Sequence, residues 1–144
     1  MDIFAAIQSS LDIKEVDIRT YSPLTLAFIG DCVYDLVIRS MLVGEGNMQV
    51  NKLHKQKADI VKAPAQAEFV EAIMDELTED ELSVYMRGRN AHTATKAKNA
   101  SFTDYHKATG FEAMLGYLYL THEQDRILHL IKLGLERTWN REQR

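Results

Sequence analysis

Two acidic residues stand in the middle of two segments that are otherwise almost entirely apolar. Asp31 lies within residues 24–38 and Glu112 within residues 109–120, and each segment has the composition of a buried helix. A carboxylate in such surroundings is costly unless it is paired or binds a cation. A Mg²⁺ ion shared by Asp31 and Glu112 is the simplest explanation that also provides chemistry, because magnesium needs only one or two protein carboxylates. The natural reaction is hydrolysis of a phosphodiester, in which such an ion activates water and neutralises phosphate charge.

A third acid, Asp35, lies four residues after Asp31 and therefore on the same helix face. Two interpretations stay open for it. Asp35 either contributes to the cation site of Asp31 and Glu112, or it is a structural acid bonded to a neighbouring helix. The histidines do not have the spacing of a zinc site, so the pattern favours magnesium.

The charges of the chain are strongly segregated. The formal net charge is −4, yet residues 87–107 alone carry +4, while residues 68–82 hold seven acids and no base. A local basic surface can bind phosphate even on an acidic protein, so the basic segment supplies candidates for contacting nucleic acid. These candidates are Arg87, Arg89, His92, Lys96 and Lys98.

Length and composition indicate one globular domain over residues 1–144. The chain has 46% apolar and 26% charged residues, and acids interrupt its longest apolar stretches, so no membrane span is expected. Its single cysteine, Cys32, excludes an internal disulfide and is expected to be a small core residue. The N-terminus lacks the basic start and long apolar run of a secretion signal, so we expect a cytoplasmic protein.

No stretch alternates apolar and polar residues over the length of a strand, so the predicted fold class is all-α. Several helices have clear start signals, such as Ser22-Pro23 before the Asp31 helix and Thr78 with Glu81 in capping-box spacing. Thr121 is the expected N-cap of the last helix. We predict about seven helices, beginning near residues 2, 23, 48, 65, 79, 104 and 122, with a polar excursion over residues 88–102.

Two glycines fall inside the helices that carry the acids. Gly30 and Gly116 each lower helix propensity by about 1 kcal/mol relative to alanine. Close approach of the two helix backbones would compensate for this loss. Because each glycine lies within about one turn of its acid, the crossing would bring Asp31 and Glu112 together.

The two acidic segments resemble the signature motifs of the ribonuclease III family. Residues 26–35 (LAFIGDCVYD) are similar to the family's Phe-Leu-Gly-Asp helix, and residues 111–120 (FEAMLGYLYL) to its Glu-Ala-Leu-x-Gly helix. The resemblance covers about residues 20–137 and is closest to the Mini-ribonuclease III branch, which has the catalytic domain alone. No double-stranded-RNA-binding domain is expected, since the sequence ends at Arg144.

The resemblance implies an all-α ribonuclease III-like endonuclease domain that acts on double-stranded RNA as a homodimer with Mg²⁺. Asp31 matches the family's catalytic, metal-binding aspartate, and Glu112 matches its metal-binding glutamate. The family's two other carboxylate positions are Ala27 and Thr109 here, and Asp35 or water would fill part of the gap. The implied task is maturation of the large-subunit (23S-type) ribosomal RNA precursor. Whether a ribosomal protein takes part is left open.

Two other functions fit parts of the pattern. An all-α nucleotide pyrophosphohydrolase also binds Mg²⁺ through helical acids, and Glu68, Glu71 and Asp75 have the required spacing, although they also fit a solvated helix face. A non-catalytic RNA-binding or ribosome-assembly module would explain the basic segment but would leave Asp31 and Glu112 without a purpose.

Overall fold

The computed structural model describes residues 2–91 and 101–139, and it confirms the predicted all-α fold. These ranges contain seven α-helices and no strand. The helices are α1 (Ile3–Leu11), α2 (Pro23–Gly44), α3 (Val50–Val61), α4 (Ala63–Ile73), α5 (Glu79–Arg89), α6 (Phe102–Leu120) and α7 (Gln124–Thr138). Short 3₁₀ turns at Ile18–Thr20 and Met74–Glu76 precede α2 and α5. Within the described ranges, none of the helices combines the length and apolar character needed to cross a membrane.

The starts of α2 and α5 follow from capping chemistry. Ser22 caps α2 by accepting a hydrogen bond from the backbone N–H of Thr25, and Pro23 occupies the first helical position. Thr78 and Glu81 form the predicted capping box at the start of α5, with both reciprocal hydrogen bonds present.

The prediction that Thr121 caps the last helix is wrong. Thr121 is the C-cap of α6, where its hydroxyl donates to the carbonyl oxygen of Tyr117 at 2.8 Å. Helix α7 begins only at Gln124, after His122 has taken a left-handed backbone conformation with φ 64°. A threonine hydroxyl can bond to the backbone at either end of a helix, so the pattern alone did not decide between the two roles.

Helix α6 lies at the centre of the fold and packs against α2, α4, α5 and α7. Nine of its residues are buried. The ring of Phe111 packs between Tyr34 of α2 and Phe69 of α4, with ring centroids 5.0 and 5.2 Å away. This aromatic cluster fixes α2 and α4 against the helix that carries Glu112.

Gly30 and Gly116 allow the backbones of α2 and α6 to touch. A Cβ atom at Gly30 would lie 1.7 Å from the carbonyl oxygen of Glu112, and one at Gly116 would lie 1.9 Å from that of Leu26. Neither position can accept a side chain unless the helices separate. The predicted close approach is confirmed, and it places Asp31, the residue after Gly30, beside Glu112.

One face of α2, here called the α2 apolar face, is exposed in the single chain. Exposed apolar residues recur along it at helical spacing. They are Leu24, Phe28, Leu36 and Val43. The expectation that α2 is buried on nearly all sides is therefore wrong for one chain, because the other helices cover only its opposite face. Asp31 and Cys32 are exposed as well, so the prediction that Cys32 is a core residue is also wrong.

Candidate active site

Asp31 and Glu112 form a direct carboxylate pair where α2 crosses α6. The carboxyl group of Asp31 lies close enough to that of Glu112 to raise its pKa. Glu112 is partly buried, whereas Asp31 lies at the exposed edge of the crossing. The glycine contact fixes this arrangement, because Asp31 directly follows Gly30 and the backbone of Glu112 supplies the oxygen that Gly30 faces.

The surroundings of Glu112 raise its pKa from 4.5 to about 8, and burial is the largest cause. A hydrogen bond to Asp31 and the negative charge of Asp31 contribute to this rise, while a hydrogen bond from Gln66 opposes it. At neutral pH the Glu112 carboxyl of the metal-free pair therefore holds a proton and donates it to the Asp31 carboxylate. A cation placed between the two groups would favour the ionised form of both.

The pair has the features of a site for a divalent cation. None of the ion pairs formed by the described residues includes Asp31 or Glu112. Two adjacent carboxylates are a donor set that suits Mg²⁺, with water completing its coordination. Within residues 2–91 and 101–139 there is no cluster of three or more acidic, histidine or cysteine side chains that could hold a metal.

Gln66 is a third member of the site, one that the sequence patterns did not predict. Its side chain on α4 is 3% exposed, and its amide nitrogen donates to the Val61 carbonyl oxygen at 2.8 Å and to Glu112 Oε2 at 3.4 Å. Its Oε1 atom is buried and has no hydrogen-bond partner among the described residues. No spacing signal marks Gln66, because its contact with Glu112 joins positions that are 46 residues apart.

Ala27 and Thr109, which stand where the ribonuclease III motifs have two further carboxylates, contribute no charge. Ala27 is buried in a cluster with Val84 and Ala113. Thr109 is buried too, and its hydroxyl donates to the carbonyl oxygen of Tyr105 at 3.0 Å. Packing and hydrogen bonding within the fold therefore account for both residues.

The structure places Asp35 in two ion pairs. Its carboxylate lies 2.6 Å from Arg39 Nε and 3.5 Å from Lys57 Nζ. These contacts balance its charge and match the structural interpretation of this residue. A role of Asp35 in cation binding stays a prediction. Asp35→Asn decides it, because unchanged metal affinity and cleavage rate would leave Asp35 with a structural role alone.

Arg87 and Arg89 lie in the last turn of α5, on either side of Gly88. Gly88 packs against α6, where a Cβ atom would come within 2.9 Å of Gly110 Cα. This contact holds the turn that bears both arginines against the helix that carries Glu112. The other candidates for phosphate contact, His92, Lys96 and Lys98, lie outside the described residues.

The acids that fit a pyrophosphohydrolase are exposed on α4 and the turn after it. Glu71 forms an ion pair with Lys107, and the carboxylate of Asp75 lies 2.9 Å from Arg137 Nη1. Glu68 is exposed as well. These contacts are typical of a solvated helix face, which favours that interpretation over a cation site.

Comparison with known proteins identifies the class to which this chain belongs. The sequence profile of the Ribonuclease III domain matches residues 24–123, a range that includes Asp31, Gln66 and Glu112. The chain belongs to the ribonuclease III family, and it is accordingly a ribonuclease, an enzyme that hydrolyses phosphodiester bonds.

Several similar proteins within this family share the name Mini-ribonuclease 3. Mini-ribonuclease 3 of Clostridium tetani is 47% identical over 118 residues, which cover 81% of this chain and 78% of the relative. Mini-ribonuclease 3 of Streptococcus pneumoniae is 40% identical over 85% of this chain and 97% of its own. A crystal structure of a Fusobacterium nucleatum protein superposes with a TM-score of 0.77 at 28% identity, covering 85% of this chain and 98% of that chain. The resemblance seen in the two acidic motifs is thereby confirmed.

Proposed function

We propose that the chain is a Mg²⁺-dependent endoribonuclease that cleaves double-stranded RNA at the pair formed by Asp31 and Glu112. The observation that carries this proposal is the contact of two carboxylates that form no ion pair with any described lysine or arginine. Membership of the ribonuclease III family and the names of the relatives support the substrate class.

Asp31 and Glu112 would hold the cation between them. A bound divalent cation supplies an activated water nucleophile and neutralises the charge that develops on the phosphate. Asp31, at the exposed edge of the crossing, is the ligand that an RNA backbone can approach. Glu112 holds the ion from the buried side, where the α2–α6 contact keeps its backbone in place.

We also propose that two chains form a homodimer through the α2 apolar face. Phe28, the most exposed residue of this face, is 76% exposed in the single chain, and exposed apolar patches are typical of protein interfaces. Phe28 precedes Asp31 by three residues, so pairing of two such faces would put both active sites beside one interface. A two-fold dimer suits a duplex, because two-fold axes relate the two strands and each strand meets an identical site.

The proposed contacts to the RNA backbone are Arg87, Arg89, His92, Lys96 and Lys98. Side chains cannot read the deep major groove of A-form RNA, so recognition depends on the shape of the duplex and on its phosphates. The resemblance to the Mini-ribonuclease III branch favours the large-subunit ribosomal RNA precursor as the physiological substrate. That substrate implies action in the cytoplasm, with a ribosomal protein that shapes the precursor as a further proposed partner.

Cleavage of a long, perfect RNA duplex in the presence of Mg²⁺ tests the proposed function. We expect the wild type to cut, and both a chelator and Asp31→Asn to abolish cutting. Asp17→Asn is a matched control, because Asp17 is an aspartate in an exposed ion pair with Arg19. A folded wild type that cuts no duplex would contradict the proposal, and cleavage by Asp31→Asn would exclude this pair as the active site. A nucleoside triphosphate turnover assay on the same samples, for which we expect no product, tests the pyrophosphohydrolase alternative.

A further inference from the structure

Gln66 is a buried amide in which one of the two polar atoms lacks a hydrogen-bond partner. The residue is 3% exposed, and its Oε1 atom has no hydrogen-bond partner among the described residues. A buried acceptor without a partner is unfavourable, and an apolar side chain of similar size would avoid this loss. Departures of this kind from local stability occur at functional sites. The amide group of Gln66 therefore needs an explanation other than packing.

Two acceptors determine the orientation of this amide. Nε2 donates to the carbonyl oxygen of Val61, the last residue of α3, at 2.8 Å, and to Glu112 Oε2 on α6 at 3.4 Å. Rotation of the amide by 180° would direct Oε1 at the Val61 carbonyl oxygen, which cannot donate a hydrogen bond. The first hydrogen bond fixes the side chain at the end of α3. The second joins the fixed amide to the carboxylate of Glu112.

We propose that Gln66 is a positioning residue for Glu112: its amide keeps the Glu112 carboxylate beside Asp31 and thereby raises the affinity of the pair for Mg²⁺. This inference rests on the proposed cation site. Among the described residues, Gln66 is the one N–H donor that bonds to the Glu112 carboxylate. A ligand whose orientation is fixed by a neighbouring hydrogen bond binds its metal more tightly than one that is free to rotate.

Binding of Mg²⁺ to the whole protein, in the absence of RNA, tests the inference. The rise of the thermal unfolding midpoint with Mg²⁺ concentration gives the half-saturating concentration. Gln66→Met removes the amide and keeps the length of the side chain, and we expect it to raise that concentration about 10- to 100-fold. Gln56→Met makes the same change at a partly exposed position on α3 and should bind Mg²⁺ as the wild type does.

Nuclear magnetic resonance of the wild type provides a measurement that does not depend on any variant. We expect the side-chain amide signals of Gln66, but not those of Gln56, to shift during a Mg²⁺ titration. Gln66→Met with a lowered unfolding midpoint but the wild-type Mg²⁺ dependence would overturn the inference, because a purely structural residue behaves in that way. Amide signals of Gln66 that do not respond to Mg²⁺ would also overturn it, including where Gln66→Met fails to fold.

Failure of the inference and failure of the proposed function give different results. A wild type that does not bind Mg²⁺, or binding that Asp31→Asn leaves intact, would refute the cation site itself. Binding that requires Asp31 but is indifferent to Gln66 would refute only the positioning role.

Discussion

The carboxyl group of Glu112 couples the ionisation of the proposed active site to the stability of the fold. Burial and the neighbouring Asp31 together raise its pKa from 4.5 to about 8, so between these values the folded chain holds a proton that the unfolded chain has lost. Such a group weakens folding progressively as the pH rises through this interval. Above this pH interval, the free energy of unfolding of the metal-free protein is lowered by the full cost of a partly buried charge beside Asp31.

Substitution of this single residue tests that coupling. We expect Glu112→Gln to stabilise the metal-free protein at pH 9 by at least about 1.4 kcal/mol, the free energy of one pKa unit. At pH 4 the glutamate is largely protonated in both the folded and unfolded states, so the gain should be small there. Urea denaturation at the two pH values measures both effects. Equal stability of the two proteins at pH 9 would contradict the claim that the charge of Glu112 destabilises the fold. The same variant should lose cleavage, because the amide replaces a carboxylate that we propose as a ligand of the cation.

At the scale of elements, the site depends on how closely α2 and α6 approach. We expect Gly30→Ala to destabilise the fold by at least about 3 kcal/mol, because its Cβ would lie 1.7 Å from a backbone oxygen of the other helix. Gly44→Ala is the matched control at the end of α2, where nothing lies within 4 Å of a Cβ atom. This control should be neutral or stabilising by up to about 1 kcal/mol. Thermal unfolding compares the two variants, and similar effects would mean that the helix contact is unimportant.

A second element, α1, contacts the rest of the chain at several points, one of which is His122. The imidazole ring contacts the carboxylates of Asp2 and Glu15 and stacks on Phe4. The hydrogen bonds that the ring donates to Glu15 and Asp2 raise the pKa of His122 above 6.5, so their contribution is fully present below that value and is lost as the pH rises through the raised pKa.

This attachment predicts a pH dependence that is confined to α1. Protection factors of the α1 amides against hydrogen exchange should fall when the pH is raised above the pKa of His122, because the neutral ring no longer attracts the two carboxylates. His122→Ala should lower protection at all pH values and remove this dependence. Amides of α6, at the centre of the fold, serve as the internal control. Protection of α1 that does not change with pH in the wild type would show that the ion pair does not hold α1.

At the scale of the whole molecule, the α2 apolar face makes a prediction about assembly. Phe28→Asp places a charge in the middle of the proposed interface, so we expect sedimentation to show monomers at concentrations where the wild type is dimeric. Val50→Asp is the control, because Val50 is also exposed but lies on α3. Both variants should remain folded, as both side chains are exposed in one chain. If Phe28→Asp still dimerises, the interface must lie on another surface.

The segregation of charge over the molecule makes a prediction about RNA affinity. We expect Arg87→Ala to weaken binding of all duplexes alike and to reduce the slope of log affinity against log salt by about 1, because it removes one phosphate contact. Filter binding to a catalytically inactive protein at several salt concentrations measures this slope. Arg19→Ala, which removes an exposed arginine that is paired with Asp17, should leave the slope unchanged. An unaltered slope in Arg87→Ala would exclude this arginine from the RNA surface.

Much of this fold and site could be predicted from local patterns. The helix starts at Pro23 and Glu79 depend on residues within one turn, so sequence spacing was sufficient to place them. The pairing of Asp31 with Glu112 was also predictable, because a glycine in each of two apolar helices indicates close contact. The misplaced start of α7 shows the limit of this approach, since threonine serves both ends of a helix and only the packed chain selects one.

The sequence by itself determined the all-α class, the two acids and the glycines that bring them together. Each of these features depends on the types of residues that lie close together in the sequence. Only the tertiary structure decided that Gln66 bonds to Glu112, that Asp35 forms ion pairs with Arg39 and Lys57, and that α2 leaves an apolar face uncovered. The physical reason is that burial and hydrogen-bond partners depend on contacts between helices that are distant in sequence. Helical periodicity indicates which residues share a face, whereas the packing of the other helices determines what that face meets.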